Sequence, residues 1–243
     1  FLLLFELVLG REEFRAGIAA LIGFVLFAMV LQGSFHIFVW CLMFLGLFGL
    51  FNIPHRKTIV AAALTSLLLS AFRLIPPALT LTDWKPSYAS GYPTLSTFFD
   101  ALTYINKDKL VHPITQTFDR SYDVGWWEHD VFIGLIGVGL IAFFGVYLRF
   151  RPRSGTGELG FRSFDLPLLI FVLFSFGVLF DAISDARIPL LSWIERVPAR
   201  FFIMPLLGLT FISAIRMQHF IASINRNWVF MLLSSAACIE LAH

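Results

Sequence analysis

The chain has 243 residues, a formal net charge of +2 and 58% hydrophobic residues, and its mean hydropathy is +0.82. This composition excludes an intrinsically disordered chain and is far more apolar than that of an ordinary soluble domain. A membrane protein is therefore the stronger interpretation, and a soluble protein with several buried helices is the weaker one.

Seven apolar blocks follow one another along the chain. They run from about 14 to 31, 37 to 51, 58 to 75, 131 to 148, 166 to 180, 201 to 215 and 227 to the end. A membrane-spanning helix needs roughly 20 mostly apolar residues, so the second, fifth and sixth blocks are short. The pattern predicts an all-α fold: a transmembrane bundle of about seven spans, forming a single domain over residues 1–243. The first nine residues are interpreted as the end of a helix that starts before the printed chain.

The charges of the loops predict which side each loop faces, because Lys and Arg concentrate in cytoplasmic loops. If every block crosses once, the loops on one side hold ten Arg and Lys residues against four acidic residues. The loops on the other side hold eight against ten. The first side, which includes residues 149–165 and the loop bracketed by Arg216 and Arg226, is predicted to be cytoplasmic, and loops 80–130 and 181–200 are predicted to be outside. Topology and anionic lipid explain the basic side, so no nucleic-acid partner is expected.

The long outer loop, residues 80–130, is rich in tyrosine and tryptophan, which settle at the headgroup level of a bilayer. Ser96 is a candidate N-cap for a short amphipathic helix over 97–105. We expect this helix to lie flat on the membrane. Pro76 and Pro77, just before the loop, are expected to stop or kink the preceding helix.

Three clusters of charged residues lie at predicted outer helix ends. They contain Arg73, then Glu128 with His129, then Arg196 with Arg200. Charges at this depth are costly unless they pair or line a wet cavity, and a guanidinium offers paired donors to phosphate oxygens. The clusters predict that Arg73, Arg196 and Arg200 bind a phosphate. Snorkelling to the interface, or a structural Arg–Glu pair, is the alternative.

Other polar residues on the predicted outer side are expected to support the phosphate site. His36, Glu128 and His129 are placed beside the predicted phosphate site, and Glu128 is also a candidate general base. The pair His129–Asp130 has no recognised metal-ligand spacing, so no metal site is predicted and a divalent cofactor lacks support. Glycine-rich phosphate loops and nucleophile elbows are absent from the sequence.

Four short motifs occur in a fixed order. They are Gly33-Ser-Phe-His36, Ser70-Ala-Phe-Arg-Leu-Ile-Pro76, Gly125-Trp-Trp-Glu-His129 and Arg196-Val-Pro-Ala-Arg-Phe201. In these residues the chain resembles the YfhO-like and GT-C-type glycosyltransferases, which are bacterial multi-pass membrane proteins. The resemblance covers about residues 33–215. His129 stands where an aromatic residue is expected, and Phe35 where proline is common.

This resemblance implies a GT-C-like bundle in the bacterial inner membrane that takes a sugar from a polyprenyl-phosphate donor at the outer face. It also implies a catalytic acid in a first outer loop, which would precede Phe1. The chain would then carry the donor-phosphate half of the site. A second hypothesis is a non-catalytic integral subunit that contacts other membrane subunits. A transporter ranks third, because no charged residue lies at a clear mid-helix position.

Overall fold

The structure is a computed structural model that describes residues 1–10, 14–80, 91–92, 94–104, 129, 131–150, 161–177, 197–224 and 235. Within these ranges every regular element is helical and none is a strand. The all-α prediction is confirmed for this part of the chain, whereas the seven-span arrangement stays a prediction. The described residues belong to two compact units.

The first unit contains four helices and the segment 161–170. The helices are α1 (Leu2–Leu9), α2 (Ala16–Leu31), α3 (Phe35–Phe51) and α4 (Arg56–Thr80). A single turn of 3-10 helix, Ile53–His55, precedes α4.

The turn between α2 and α3 is built on a glycine. The N–H of Ser34 donates to Met29 O, and the N–H of Gly33 donates to Val30 O. Gly33 has φ +83°, a left-handed conformation that costs glycine little. These two bonds form a Schellman motif, which satisfies carbonyls at the end of α2 and reverses the chain into α3.

The contact between α2 and α4 is the most extensive one between described helices. On α4 its buried residues recur at every fourth position and are small: Thr58, Ala62, Ser66 and Ser70, all with 0% exposure. On α2 a Cβ at Gly23 would lie 2.8 Å from Thr65 Cβ, so the two backbones approach closely there. Small residues that let helices approach in this way are typical of helix pairs in membranes.

The opposite face of α4 carries large apolar side chains that are exposed. Leu64 is 54% exposed, Leu68 76%, Phe72 63% and Ile75 54%. A water-soluble helix buries its large apolar residues and exposes its small polar ones. In α4 the arrangement is reversed, which suits a helix surrounded by hydrocarbon.

The second unit contains α5 (Leu95–Thr103), α6 (Gly134–Leu140) and α8 (Ile203–Ile224). A π-helical segment (Ile141–Val146) and a short 3-10 turn (Tyr147–Phe150) continue α6. Another 3-10 turn, Pro198–Phe202, leads into α8. Helix α7 (Asp165–Ser175) contributes its residues from 171 onward to this unit.

The helix predicted within the outer loop is present, but it begins earlier than expected. It spans Leu95–Thr103, and the side chain of Thr94, not Ser96, accepts the capping bond from the Thr97 N–H at 3.1 Å. One face packs in the unit through Ala101 and Leu102. The other face exposes apolar side chains, as a helix lying at a membrane surface would.

Several boundaries differ from the apolar blocks. Pro76 and Pro77 do not end α4, which continues to Thr80. Proline removes its own backbone donor and crowds the carbonyl four residues earlier, so it usually ends or kinks a helix. Here about one further turn of helix follows Pro76. The sixth block, predicted as short, lies in one of the longest helical stretches, Pro198–Ala222.

By length and composition, two described helices could cross a membrane: Ile53–Pro76 and Pro198–Ala222. Four further apolar helical stretches of the described residues have 10 to 17 residues, and α1 has eight. Two such helices are by themselves weak support for a membrane protein, because a buried core helix passes the same test.

Candidate functional site

Arg73 is exposed near the C-terminal end of α4. Its Nη1 donates to Leu31 O at 2.9 Å, and its guanidinium carbon lies 5.9 Å from the centre of the Phe35 ring. Leu31 is the last residue of α2, so no backbone N–H of that helix donates to its carbonyl. Arg73 therefore closes the end of α2 and lies against the first residue of α3.

Two other arginines of the first unit make the same kind of contact. Arg15 Nη1 donates to Glu6 O of α1 at 2.9 Å, and Arg56 Nε donates to Gly49 O of α3 at 3.1 Å. A cation near a helix C-terminus is favoured because the last carbonyls carry partial negative charge. Arg15, Arg56 and Arg73, the helix-end arginines, thus stabilise the ends of α1, α3 and α2.

Arg73, like Arg15, makes one side-chain hydrogen bond within the described residues and leaves its other guanidinium donors available. Within the described part of the chain, only the Leu31 carbonyl accepts a hydrogen bond from Arg73, and a guanidinium has five N–H donors. Phe72 and Ile75, both exposed, flank it on α4. A cation level with an apolar surface suits the headgroup of an anionic amphiphile.

Of the other predicted site residues Glu128, Arg196 and Arg200, the structure describes only Arg200. Arg200 is half-buried in the turn Pro198–Phe202, between the buried residues Ala199 and Phe201. Glu128 and Arg196 lie outside the described residues, so their predicted roles stay predictions. Arg73 and Arg200 belong to different units, and a shared phosphate site for them also stays a prediction.

His36 and His129, the two predicted supporting histidines, have different environments. His36 is exposed in the first turn of α3, with its ring 6.4 Å from that of Trp40. His129 is only 1% exposed. It lies in the second unit, where its ring is perpendicular to that of Tyr92 at 5.9 Å.

Tyr92 organises the surroundings of His129. Its hydroxyl donates to His129 O at 2.8 Å, and its N–H donates to Ser175 O at the end of α7. A Cβ on Gly91 would overlap Ser175 O, so only glycine allows this approach. The arrangement indicates that His129 contributes to the packed interior of the unit.

Arg216 is the charged residue that the sequence interpretation placed wrongly. It was assigned to a cytoplasmic loop, but α8 continues to Ile224 and Arg216 lies within it, 3% exposed. Phe220 and Ile221 continue the apolar spacing beyond Arg216, and this signal could have located it in the helix. The expectation that no charged residue lies at a clear mid-helix position, on which the transporter was ranked third, is therefore wrong at Arg216.

The guanidinium of Arg216 binds the π-helical segment. Its Nη1 donates to Phe144 O at 2.7 Å and to Gly145 O at 3.1 Å. A π-helical turn disturbs the regular hydrogen-bond ladder, and a buried cation needs acceptors. The π segment provides carbonyl acceptors for the buried cation, and Arg216 provides donors for those carbonyls. Arg216 and the π segment therefore stabilise one another.

No group of three or more His, Cys, Asp or Glu residues that could hold a metal ion is found among the described residues. No family model, no curated protein and no solved structure matches the chain. The resemblance to YfhO-like and GT-C-type proteins therefore depends on the four sequence motifs alone.

Proposed function

We propose that this protein is a multi-pass membrane glycosyltransferase, or a relative of one, in the bacterial inner membrane. It takes a sugar from a polyprenyl-phosphate donor at the outer face. The proposal needs two properties, a surface that faces hydrocarbon and a cation that meets a lipid phosphate. Helix α4 offers a candidate for each, because exposed large apolar side chains lead along the helix to the exposed Arg73.

The apolar surface of α4 supports the membrane part of this proposal. In water, exposing Leu64, Leu68 and Phe72 would cost about 1.5–3 kcal/mol for each fully exposed side chain. In hydrocarbon this cost disappears, and the small buried residues of α4 provide close packing instead.

Arg73 supports the ligand part. Its side chain is held by Leu31 O and Phe35, so less conformational entropy is lost when it binds a ligand. Its unused donors suit phosphate oxygens, and the apolar surface beside it suits the isoprenoid chain. The roles of Arg196, Arg200 and Glu128 in this site are part of the same proposal.

The test is binding of farnesyl phosphate, a short polyprenyl phosphate, to the purified chain in nanodiscs. We expect Arg73→Ala to weaken binding at least about tenfold, because charge-assisted bonds are worth about 1.5–3 kcal/mol. Arg73→Lys should recover binding only in part, because an ammonium cannot donate in pairs.

Arg56→Ala is the matched control, because Arg56 is also exposed and also closes a helix end. It should lose as much stability as Arg73→Ala while leaving binding of farnesyl phosphate unchanged. Equal binding by both alanine variants and the parent chain would refute the ligand proposal.

A non-catalytic membrane subunit is the second candidate, and one observation favours it. All three helix-end arginines donate to backbone carbonyls, which is a structural role. Release of polyprenyl phosphate from a polyprenyl-phosphate sugar separates the two candidates. It is measured in native membrane vesicles that contain the protein and in vesicles that lack it, because the catalytic acid expected from the resemblance would not lie in the printed chain. Farnesyl phosphate binding without any release, across a panel of donor sugars, would favour the subunit.

A further inference from the structure

One end of the first unit gathers cations from three separate parts of the chain. The N–H of Arg15 donates to Thr58 Oγ1 at 3.0 Å, which joins the residue before α2 to the start of α4. Asn52 Nδ2 donates to Ser163 O at 3.2 Å, which joins the end of α3 to the segment before α7. The cationic residues at these junctions, called the basic end, are Arg15, Arg56, Lys57 and Arg162.

Helix α4 separates the basic end from Arg73 by nearly the thickness of a bilayer. Arg56 is the first residue of α4, and at about 1.5 Å per residue about 26 Å of helix lies between it and Arg73. The hydrocarbon core of a bilayer is about 30 Å thick. The side chains between them at every fourth position are apolar and exposed: Val60, Leu64, Leu68 and Phe72. With Arg73 at the headgroups of one leaflet, the basic end lies at the headgroups of the other.

Two of the four cations face outward without a role in closing a helix. Arg162 is exposed and makes neither a hydrogen bond nor an ion pair within the described residues. Lys57 is exposed on the first turn of α4. Arg56 differs, because its Nε and Nη2 donate to Gly49 O and Leu50 O. Lys57 and Arg162 are therefore the cations that this end offers to a partner.

The charge at the basic end favours an anionic partner. Two carboxylates accompany the four cations among the described residues: Glu6, exposed on α1, and Asp165, half-buried in the first turn of α7. Clusters of Lys and Arg beside membrane helices on the cytoplasmic side attract anionic lipid headgroups. A phosphatidylcholine headgroup carries an ammonium as well as a phosphate, so it gains much less from this charge.

We propose that the basic end binds anionic phospholipids of the cytoplasmic leaflet through Lys57 and Arg162. Their phosphate groups meet these two cations, and their acyl chains lie along the exposed side of α4 from Val60 onward. The attraction is between charges and needs no fixed geometry, so the number of positive charges decides its strength. This inference depends on the membrane placement in the proposed function, but not on a glycosyltransferase activity.

The experiment uses the full chain in nanodiscs that contain phosphatidylcholine and phosphatidylglycerol in equal parts. Two tracer lipids, one with each headgroup, carry the same diazirine near the glycerol, and labelled residues are mapped by mass spectrometry. We expect phosphatidylglycerol to label α4 around Val60 at least about fivefold more than phosphatidylcholine does. The bulk phosphatidylglycerol occupies the basic end, so binding of farnesyl phosphate at Arg73 can be measured in the same nanodiscs.

The variants separate charge from geometry. Lys57→Gln combined with Arg162→Gln should lower the ratio of the two labels at least about fivefold, because each cation near an anionic surface contributes about that factor. Arg162→Lys should keep the ratio within about twofold, because it keeps the charge. Arg73→Gln, at the other end of the apolar row, is the matched control and should leave labelling around Val60 unchanged.

Each alternative outcome has a distinct meaning. Labelling by both lipids without preference overturns the proposal and leaves the proposed function untouched, whereas no labelling of α4 by either lipid refutes the membrane placement on which both depend. A loss in Arg162→Lys as large as in Arg162→Gln overturns the diffuse charge attraction. An equal loss in Arg73→Gln overturns the assignment to the basic end.

Discussion

Replacing Gly23 with alanine should weaken the contact between α2 and α4. The new Cβ would lie 2.8 Å from Thr65 Cβ, 2.9 Å from Thr65 Cγ2 and 3.1 Å from Ala62 O. Two of these atoms belong to a stiff β-branched side chain and the third to the backbone, so the helices must move apart. Overpacking of this kind costs about 1–3 kcal/mol.

The same substitution also has a favourable effect, because alanine is better than glycine in a helix interior by about 1 kcal/mol. The net change expected for Gly23→Ala is thus a loss of about 0–2 kcal/mol in the free energy of unfolding. Gly17→Ala supplies the correction: it lies on the same helix, and its Cβ would meet nothing within 4 Å.

The assay is equilibrium unfolding of both variants by SDS titration in mixed micelles, followed by circular dichroism. Gly23→Ala should be less stable than Gly17→Ala by about 1–3 kcal/mol. A difference below about 0.5 kcal/mol would show that α2 and α4 are not in close contact at Gly23, and the interpretation of the small residues on α4 would fail with it.

Two further stability changes follow from buried hydrogen bonds and can be measured in the same assay. Arg216→Met should cost about 3 kcal/mol because it removes two bonds from a buried cation, whereas Arg56→Met, at an exposed helix end, should cost less than about 1 kcal/mol. Equal losses would mean that the π segment does not depend on Arg216. Tyr92→Phe should cost about 1 kcal/mol through its bond to His129 O, and Tyr104→Phe, an exposed control, should change nothing measurable. A neutral Tyr92→Phe would contradict the interior role given to this pair.

Helix positions could be predicted from the sequence where a segment is apolar along its whole length. Apolar runs located α2, α3 and α4 to within a few residues. Helix ends were harder to predict, because both Ser96 and Thr94 can cap and only the tertiary position of Leu95–Thr103 decides between them. The end of α4 beyond Pro76 shows the same dependence on context.

Contacts of charged residues could not be predicted from spacing. Arg73 lies about two turns before the end of α4, and its acceptor, Leu31 O, is 42 residues away in the chain. Arg216 was misplaced because an arginine that closes an apolar block ordinarily marks a loop, and only the carbonyls of the π segment make its burial favourable.

The π segment has a consequence for how the helical stretch from Gly134 to Phe150 is compared with other sequences. A π turn accommodates an extra residue, and each α-helical residue turns the chain by about 100°. The faces of the stretch before Ile141 and after Val146 are thus out of phase by about one residue. A relative with an uninterrupted α-helix here would have one residue fewer, and an ungapped alignment beyond Val146 would match each of its positions to one about 100° away around the helix of this chain.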